Sequence, residues 1–375
     1  MTEEREYLQA FDLARKAKKR YLKKALEKEE KEHLISIGLD GWDEKEREDA
    51  YQKEVLPYWD KYGIAPEKFW FELFGSRDHQ MNPRFIPADI YFTELIPYLN
   101  NGLQAPGLSN KAYFEYLFCD VKQPKTVAIR IEGSFYDEKR NPIDEDKMLA
   151  LCREHSGRLF LKISTGSSNG RGISVLTPTE CSDEDIRKLF LRNGSNFIIQ
   201  EEIRQHGALN TINPTSVCTI RVLSLLMDGK VYVESAGLRV GAPGADYVSS
   251  GDGGYYTEIL EGGKLHTKVY NNLGKWRDHK GLFDENICIP SMDRVYDEVK
   301  RIHPRIGHFR CIGWDFTIDV NGEPVMIEYN VFPMLGNPQL VRCKPVFNEQ
   351  TDWILEDYYE HRTWANNHRQ DILIQ

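Results

Sequence analysis

The residues best suited to chemistry lie in the stretch CIGWDFTIDVNGEPVMIEYN, Cys311 to Asn330. Trp314, Phe316, Ile318 and Val320 alternate with Asp315, Thr317 and Asp319. Val325, Ile327 and Tyr329 alternate with Met326, Glu328 and Asn330. This period of two predicts a pair of strands. Asn321-Gly322 between them predicts a two-residue type I′ turn, which needs φ > 0 at both central residues. Such a turn pairs Val320 with Glu323. Counting back, it pairs Ile318 with Val325, Phe316 with Ile327 and Trp314 with Tyr329. The same count sets Asp315 opposite Glu328, with Asn330 further along that face. Directly opposed side chains have Cβ atoms about 4.5–5.5 Å apart, so two carboxylates there repel. A divalent cation would relieve the repulsion. Carboxylates and an amide oxygen are hard donors suited to Mg²⁺ or Mn²⁺, and Mg²⁺ also takes phosphate oxygens. A solvated acidic face in another register is the alternative reading.

The second chemical stretch is RLFLKISTGSSNGRGISVL, Arg158 to Leu176. Leu159 to Ile163 and Ile173 to Leu176 read as strands. The small-residue loop between them can fold backbone N–H groups and hydroxyls around an anion, because glycine allows close approach. Lys162, on the strand entering the loop, would reach phosphate oxygens. There is no G-x-x-x-x-G-K-[ST] pattern, no G-x-G-x-x-G turn, and a strand rather than a helix follows. A plain hairpin tip is the alternative.

A third candidate is Arg221, in the apolar run VCTIRVLSLL. Val217 to Leu226 and Val231 to Val240 read as a hairpin around Asp228-Gly229. A two-residue loop makes Arg221 face Ala236 and leaves Arg239 on the opposite face. Only a bulge or a one-residue slip would bring the two arginines together. A buried arginine needs an anion, either a ligand or a structural carboxylate.

The elements that must hold these residues follow from pattern and punctuation. Residues 3–33 have near-helical apolar spacing, and the basic cluster Arg15 to Arg20 reads as a solvated helix face or a contact for an acidic surface. Asp43 to Tyr62, Pro66 to Phe74 and Ile86 to Asn100 predict further helices. Ser109 is a candidate cap for a helix carrying Lys111, Phe114 and Leu117. Thr126 to Ile131 and Asn196 to Ile203 predict strands. Asp144 to His155, Ser182 to Leu191 (capped by Ser182) and Ser291 to Ile302 predict helices. Gly241 to Gly263, with Asp246, Asp252 and Glu258, reads as irregular strands and loops near a site. Asn337 to Gln375 reads as a helical tail.

The totals narrow the class. A chain of 375 residues supports two or three domains. A formal net charge of −9 argues against a nucleic-acid binder. Seven cysteines, odd in number and without a C-x-x-C pair, point to a reducing cytosol, and no apolar run approaches a membrane span. MTEEREYLQA lacks the apolar core of a signal peptide. There is no H-E-x-x-H motif and no G-x-S-x-G nucleophile elbow, since the loop Gly166 to Gly170 leads into a strand rather than a helix.

In order along the chain stand a strand lysine with a glycine-serine loop (Lys162 to Gly172), Gln200-Glu201-Glu202-Ile203 with Gln205-His206, and Cys218-Thr219-Ile220-Arg221-Val222. Leu238-Arg239-Val240-Gly241, Ile312-Gly313-Trp314-Asp315 and Ile327-Glu328-Tyr329-Asn330 complete the set. This ordered set resembles the ATP-grasp superfamily over about residues 100 to 340. It most resembles the sugar-transfer-associated branch found with surface-polysaccharide systems.

The resemblance implies an α+β fold in which two lobes grip ATP, preceded by a helical N-terminal region. The implied division is residues 1–80 for that region, 81–200 for a linker and small lobe, 201–342 for a large lobe with the metal site, and 343–375 for a helical tail. It implies that Lys111 and Lys162 bind the nucleotide phosphates under a loop containing Ser167, Ser168, Gly170 and Gly172. Gln200, Glu201 and Ile203 would meet the adenine side, and His206 the ribose. Asp315, Glu328 and Asn330 would hold Mg²⁺, or Mn²⁺, on the β- and γ-phosphates. Arg221 and Lys162 would serve catalysis, and Arg239 the substrate. Cys218, where the pattern has asparagine, and the loose match around Asp246 to Gly254 depart from the family in the acceptor region.

The implied activity is an ATP-dependent carboxylate–amine ligase working through an acyl phosphate on a sugar, sugar nucleotide or glycan. A small-molecule kinase and a non-catalytic nucleotide-binding protein are the alternatives. The implied partners are small-molecule or glycan substrates in the cytoplasm, with no nucleic acid and no membrane span. The oligomeric state stays open, a homodimer included.

Overall fold

The computed structural model describes residues 2–166, 172–248, 253–271 and 275–368. Thr2–Ile37 forms one helix. Glu44–Ala50 passes through a π-helical turn at Tyr51–Val55 into Leu56–Asp60. Ala88–Ile90 passes through a second, Tyr91–Leu95, into Ile96–Leu99. A proline follows each wide turn, Pro57 and Pro97. Proline offers no N–H to the i−4 carbonyl and its ring crowds it, so a wider turn keeps the helix continuous. Between these helices Lys68–Gly75 is buried from Phe69 onward. No helix among the described residues is long and apolar enough to cross a membrane, and all seven cysteines are free thiols.

Two antiparallel sheets follow. The first contains β1 (Thr126–Ile131), β2 (Ser134–Asp137), β3 (Pro142–Ile143), β4 (Leu159–Ile163), β5 (Ile173–Leu176) and β6 (Phe197–Glu201), in the order β3-β2-β1-β6-β4-β5. Helices Glu145–Arg153 and Asp183–Arg192 cover one face, where Met148, Ile186 and Phe190 pack on Leu159, Leu161, Phe197 and Ile199. Asp144 caps the first helix, and Ser182 and Asp185 form a capping box on the second. Phe160 and Lys162 alternate onto the other face of β4.

The second sheet contains β7 (Thr219–Met227), β8 (Lys230–Val240), β9 (Tyr255–Glu258), β10 (Lys268–Asn271), β11 (Trp276–Asp278), β12 (Cys311–Ile318) and β13 (Pro324–Asn330). Its order is β11-β10-β9-β8-β7-β12-β13. Ile220, Val222, Trp314 and Phe316 pack on one face against Val295 and Val299 of the helix Met292–Ile302. On the other face Leu223, Leu225 and Cys311 meet the N-terminal helices through Trp70, Phe74 and Tyr91, and Leu355 and Tyr358 of the C-terminal helix Gln350–His368 join them. Thr219 and Arg221 lie further along that second face.

The β12–β13 hairpin differs from the expected one in two compensating ways. Its loop has three residues, not two: Asp319 N bonds Glu323 O, Gly322 N bonds Asp319 O, and only Gly322, at φ 77°, is left-handed. This is a type I turn with a glycine bulge rather than type I′. It shifts the register by one, so Phe316 pairs with Met326 and Ile318 with Pro324; the expected partners Ile327 and Val325 are not used. A bulge at Ile327 then shifts the register back. Trp314 pairs with Tyr329 and Asp315 with Glu328.

The β7–β8 hairpin also corrects the expectation. Asp228 (φ 47°) and Gly229 (φ 75°) make the type I′ turn, but an extra residue, Glu234, moves the register. Arg221 pairs with Gly237 instead of Ala236, and Thr219 with Arg239. Arg221 and Arg239 therefore share a face. Elsewhere Asn110, not Ser109, caps the turn at Lys111: its Oδ1 accepts from Ala112 N at 2.9 Å.

The C-terminal segment grips the Glu234 bulge. The Glu234 carbonyl accepts from Arg342 Nη1 at 3.1 Å and Asn348 Nδ2 at 2.9 Å, and Asn348 Nδ2 also reaches Glu234 Oε2 at 2.9 Å. Burial pushes the Glu234 carboxyl up to about 7, against the pull of Asn348 and Arg342. An acid raised in the folded state gives stability that is complete below its unfolded pKa and lost as pH rises through the folded value. Urea unfolding from pH 4.5 to 7 should show stability falling by up to about 1.4 kcal/mol per pH unit on this account. Glu234→Gln should flatten that slope; an unchanged slope would remove Glu234 as its source.

Candidate active site

The two sheets enclose a cavity of about 400 Å³. Lys162 enters from β4, Glu201 from the end of β6, and Ile203 from the connection that follows. Arg221, Arg239, Asp315, Glu328 and Asn330 enter from the second sheet, and Lys111 comes from the turn beneath the first. Backbone pairing fixes that turn, because Lys111 N donates to Ser164 O at 2.9 Å.

Asp315 and Glu328 face each other, and the protein's own cations relieve their repulsion. Arg221 makes a two-pronged pair with Asp315, Nε to Oδ1 at 2.5 Å and Nη2 to Oδ2 at 2.9 Å. Asp315 pairs directly with Arg221 across β12 and β7, which makes this contact a consequence of register. Lys111 Nζ lies 3.0 Å from Glu328 Oε2. Burial opposes the charge on Glu328, but Lys111, Lys162 and Arg221 outweigh it and hold the carboxyl below its ordinary range. Asn330 lines the same wall, and its buried Nδ2 has no partner.

Lys162 Nζ bonds Gln200 Oε1 at 3.1 Å. Burial pushes its ammonium down to about 8, Glu328 pulling it up and Lys111 pressing it further down. Arg239 is lowered by burial and by neighbouring Arg221. Tyr256 lies over Gly237, where a Cβ would come within 2.1 Å of the phenol oxygen, and burial raises its hydroxyl to about 12. At the rim Glu201 is paired with Lys125 at 2.9 Å and Asp246 with Arg158 at 2.7 Å. With those two balanced, the described lining residues set Lys111, Lys162, Arg221 and Arg239 beside Asp315 and Glu328. The cavity therefore carries an excess of positive charge beside a carboxylate pair.

Not every expected site residue lines this cavity. Gln200 is buried as the partner of Lys162 and donates to Pro124 O at 3.3 Å. His206 caps the helix Gly207–Ile212, its Nδ1 accepting from Ala208 N at 3.1 Å. Gly172 lies beyond the cavity lining, with its carbonyl accepting from Ile163 N at 2.9 Å. Ser167, Ser168 and Gly170 fall outside the described residues. Tyr256, Ile327 and Arg158 escaped sequence reasoning. Strict alternation pairs Ile327 with Phe316, and the bulge instead turns it into the cavity.

Among the described residues no cluster of three or more His, Cys, Asp or Glu forms a metal site. Asp315, Glu328 and the Oδ1 of Asn330 nevertheless supply hard oxygen donors that fit a divalent cation, while the unpartnered Asn330 Nδ2 is a hydrogen-bond donor suited to an anion. Such a cation would share carboxylates already paired with Arg221 and Lys111.

Asp315→Ala would leave Arg221 buried without its anion and should cost about 3–5 kcal/mol of stability by urea denaturation. Glu328, 30% exposed, should cost far less when changed to Gln. Equal, small losses for both would contradict this difference. Anion affinity at the cavity should fall as pH rises through about 8, where free Lys162 loses its proton. A titration with inorganic phosphate from pH 7 to 9 would show it; Lys162→Arg should remove the dependence.

The chain matches the profile of the sugar-transfer associated ATP-grasp family over residues 91–352. No curated protein matches it at a significant level. Among solved structures, D-alanyl-alanine synthetase A from Vibrio cholerae is 13% identical, covering 70% of this chain and 68% of that one, with a TM-score of 0.44. VanG D-Ala:D-Ser ligase from Enterococcus faecalis is 15% identical, covering 67% and 61%, with a TM-score of 0.41. Biotin carboxylase from Campylobacter jejuni is 12% identical, covering 70% and 48%, with a TM-score of 0.45.

Proposed function

The chain belongs to the sugar-transfer associated ATP-grasp family, and on that premise we propose that it is an ATP-dependent ligase that joins a carboxylate to an amine through an acyl phosphate. The observation that carries this reading is the cavity charge. Four cationic side chains stand beside an opposed Asp–Glu pair, an arrangement suited to a polyphosphate and its cation together.

Lys111 and Lys162 would hold the phosphates, with the loop from Gly166 to Gly172, including Ser167, Ser168 and Gly170, above them. Glu201 and Ile203 would meet the base, and Gln200 would act through Lys162. Asp315, Glu328 and Asn330 would hold Mg²⁺, or Mn²⁺, which when bound neutralises charge developing on the β- and γ-phosphates. Arg221, anchored by Asp315, would steady the transferring phosphoryl group. Arg239, beside it and under Tyr256, would hold the carboxylate substrate.

The carboxylate oxygen attacks the γ-phosphorus as the bond to ADP breaks. The amine then attacks the acyl carbon, the C–O bond to phosphate breaks, and inorganic phosphate and a proton leave. The chain's contribution is positioning and fixed charge, which suits phosphoryl transfer because that step needs little covalent help. The family's link to sugar transfer favours a sugar, sugar nucleotide or glycan as one substrate, in the cytosolic stage of surface polysaccharide assembly.

Thermal unfolding with Mg²⁺ and a non-hydrolysable ATP analogue is the direct test. At a hundredfold excess over Kd the analogue should add about 2.7 kcal/mol. Lys162→Ala and Glu328→Gln should lose most of that gain, and no gain in the wild type would overturn the nucleotide site. Release of inorganic phosphate that depends on both a carboxylate and an amine supports the ligase. Phosphate retained on the product would replace it with a kinase.

A further inference from the structure

The cavity runs on past the carboxylate pair. Asp315, Arg221 and Gly237 pair across β12, β7 and β8, and Arg239 lies two residues beyond Gly237 on the same face. Tyr256 pairs with Arg239 across β8 and β9, and its ring reaches back over Gly237. Strand β8 is three places from β13, which separates the two by roughly 14 Å at strand spacing. This end of the cavity therefore lies away from Glu328 and the Lys111 that holds it.

Arg239 is the cation at this end with charge to spare. Each of the four carboxylates that line the cavity among the described residues is paired with another cation: Asp315 with Arg221, Glu328 with Lys111, Glu201 with Lys125 and Asp246 with Arg158. Burial and the neighbouring Arg221 both work against the charge on Arg239. An anion beside it relieves both.

The walls on either side are apolar. The segment Phe332-Pro333-Met334 follows β13 and leads to the helix Gly336–Arg342. It crosses the face next to Arg221: a Cβ at Gly313 would come within 2.9 Å of Pro333 Cβ and 3.4 Å of Arg221 Nη1. Phe332, Pro333 and Met334 line the cavity, and Met334 is 50% exposed. Tyr247 and Val248 line the opposite end. Their backbone lies over Gly241, two residues beyond Arg239, where a Cβ would be 3.3 Å from the Tyr247 carbonyl oxygen and 3.5 Å from the Val248 Cα. Phe332, Tyr247 and Val248 are only partly buried. Incompletely covered apolar side chains on two sides of an unspent guanidinium suit a ligand with an anionic head and an apolar body.

We propose that the acid taken by this cavity is an aryl- or alkyl-substituted carboxylic acid, with its carboxylate on Arg239 and its body between Tyr247–Val248 and Phe332–Met334; this rests on the ligase reading above. A polyhydroxylated acid would press hydroxyls without partners against these walls, at a cost for each. The sugar or glycan then brings the amine. Met334 is unbranched and flexible, so it moulds to the body it meets.

Calorimetric titration of the full chain with 3-phenylpropionate and with glucuronate is the test, since the two carry the same charge on different bodies. Phenylpropionate should bind at least about tenfold more tightly. Arg239→Ala should weaken it about tenfold, the loss of one charge-assisted hydrogen bond. Met334→Ser, at a half-exposed position, should weaken phenylpropionate about fivefold and leave glucuronate where it was. Circular dichroism checks the fold of both variants. Glucuronate binding as tightly as phenylpropionate would overturn the assignment. So would phenylpropionate that does not bind wild type, or whose binding neither variant moves. Failure of the ligase reading looks different: the ATP analogue then fails to stabilise wild type, whatever the two acids do.

Discussion

The two-pronged pair between Arg221 and Asp315 is the constraint on which the central cavity depends. Asp315 is buried, Arg221 is partly buried, and they sit on adjacent central strands. Taking either charge out of water alone would be costly, and together they satisfy each other. The pair lets a carboxylate persist opposite Glu328, and it holds a guanidinium beside Arg239. Lys111 completes the arrangement from the turn that its backbone bond to Ser164 fixes, and its contact with Glu328 ties that turn to the second sheet. The result is a charged wall balanced by its own members, with positive charge to spare.

Register is the device that builds this wall. The β7–β8 and β12–β13 hairpins each contain one extra residue, Glu234 in β8 and Ile327 in β13. A bulge flips the faces of everything beyond it. At Glu234 the flip puts Arg239 on the same face as Arg221. At Ile327 it undoes the offset of a three-residue turn and returns Glu328 to a place opposite Asp315. The C-terminal segment secures the first bulge through Arg342 and Asn348. The helical layers at the two ends of the chain therefore do more than cover a sheet, since one of them supports the backbone that aims an arginine.

Elements with strong local signals were legible in the sequence. Thr126–Ile131 follows from its β-branched alternation, and Ser182 announces the helix after it through a capping box formed within the chain's own next turn. The type I′ turn at Asp228-Gly229 and the opposition of Asp315 and Glu328 were also readable. His206 and Gln200 show the limit. Their residue types suit ligand contacts, yet a helix cap and a neighbouring ammonium already use them.

What the sequence by itself determined is therefore the strands of the central hairpins, the capped helices, and the residue types brought to those hairpins. Those depend on period, capping and turn chemistry within a few residues of each other. What only the tertiary structure decided is which faces those residues share and what neutralises them. Bulges, and the exchange of a metal-only explanation for Arg221 and Lys111 as counter-charges, involve partners from distant parts of the chain. Their physical reason is the same in each case: a buried charge is settled by whatever group folding brings within about 3 Å, and local pattern carries no record of that distance.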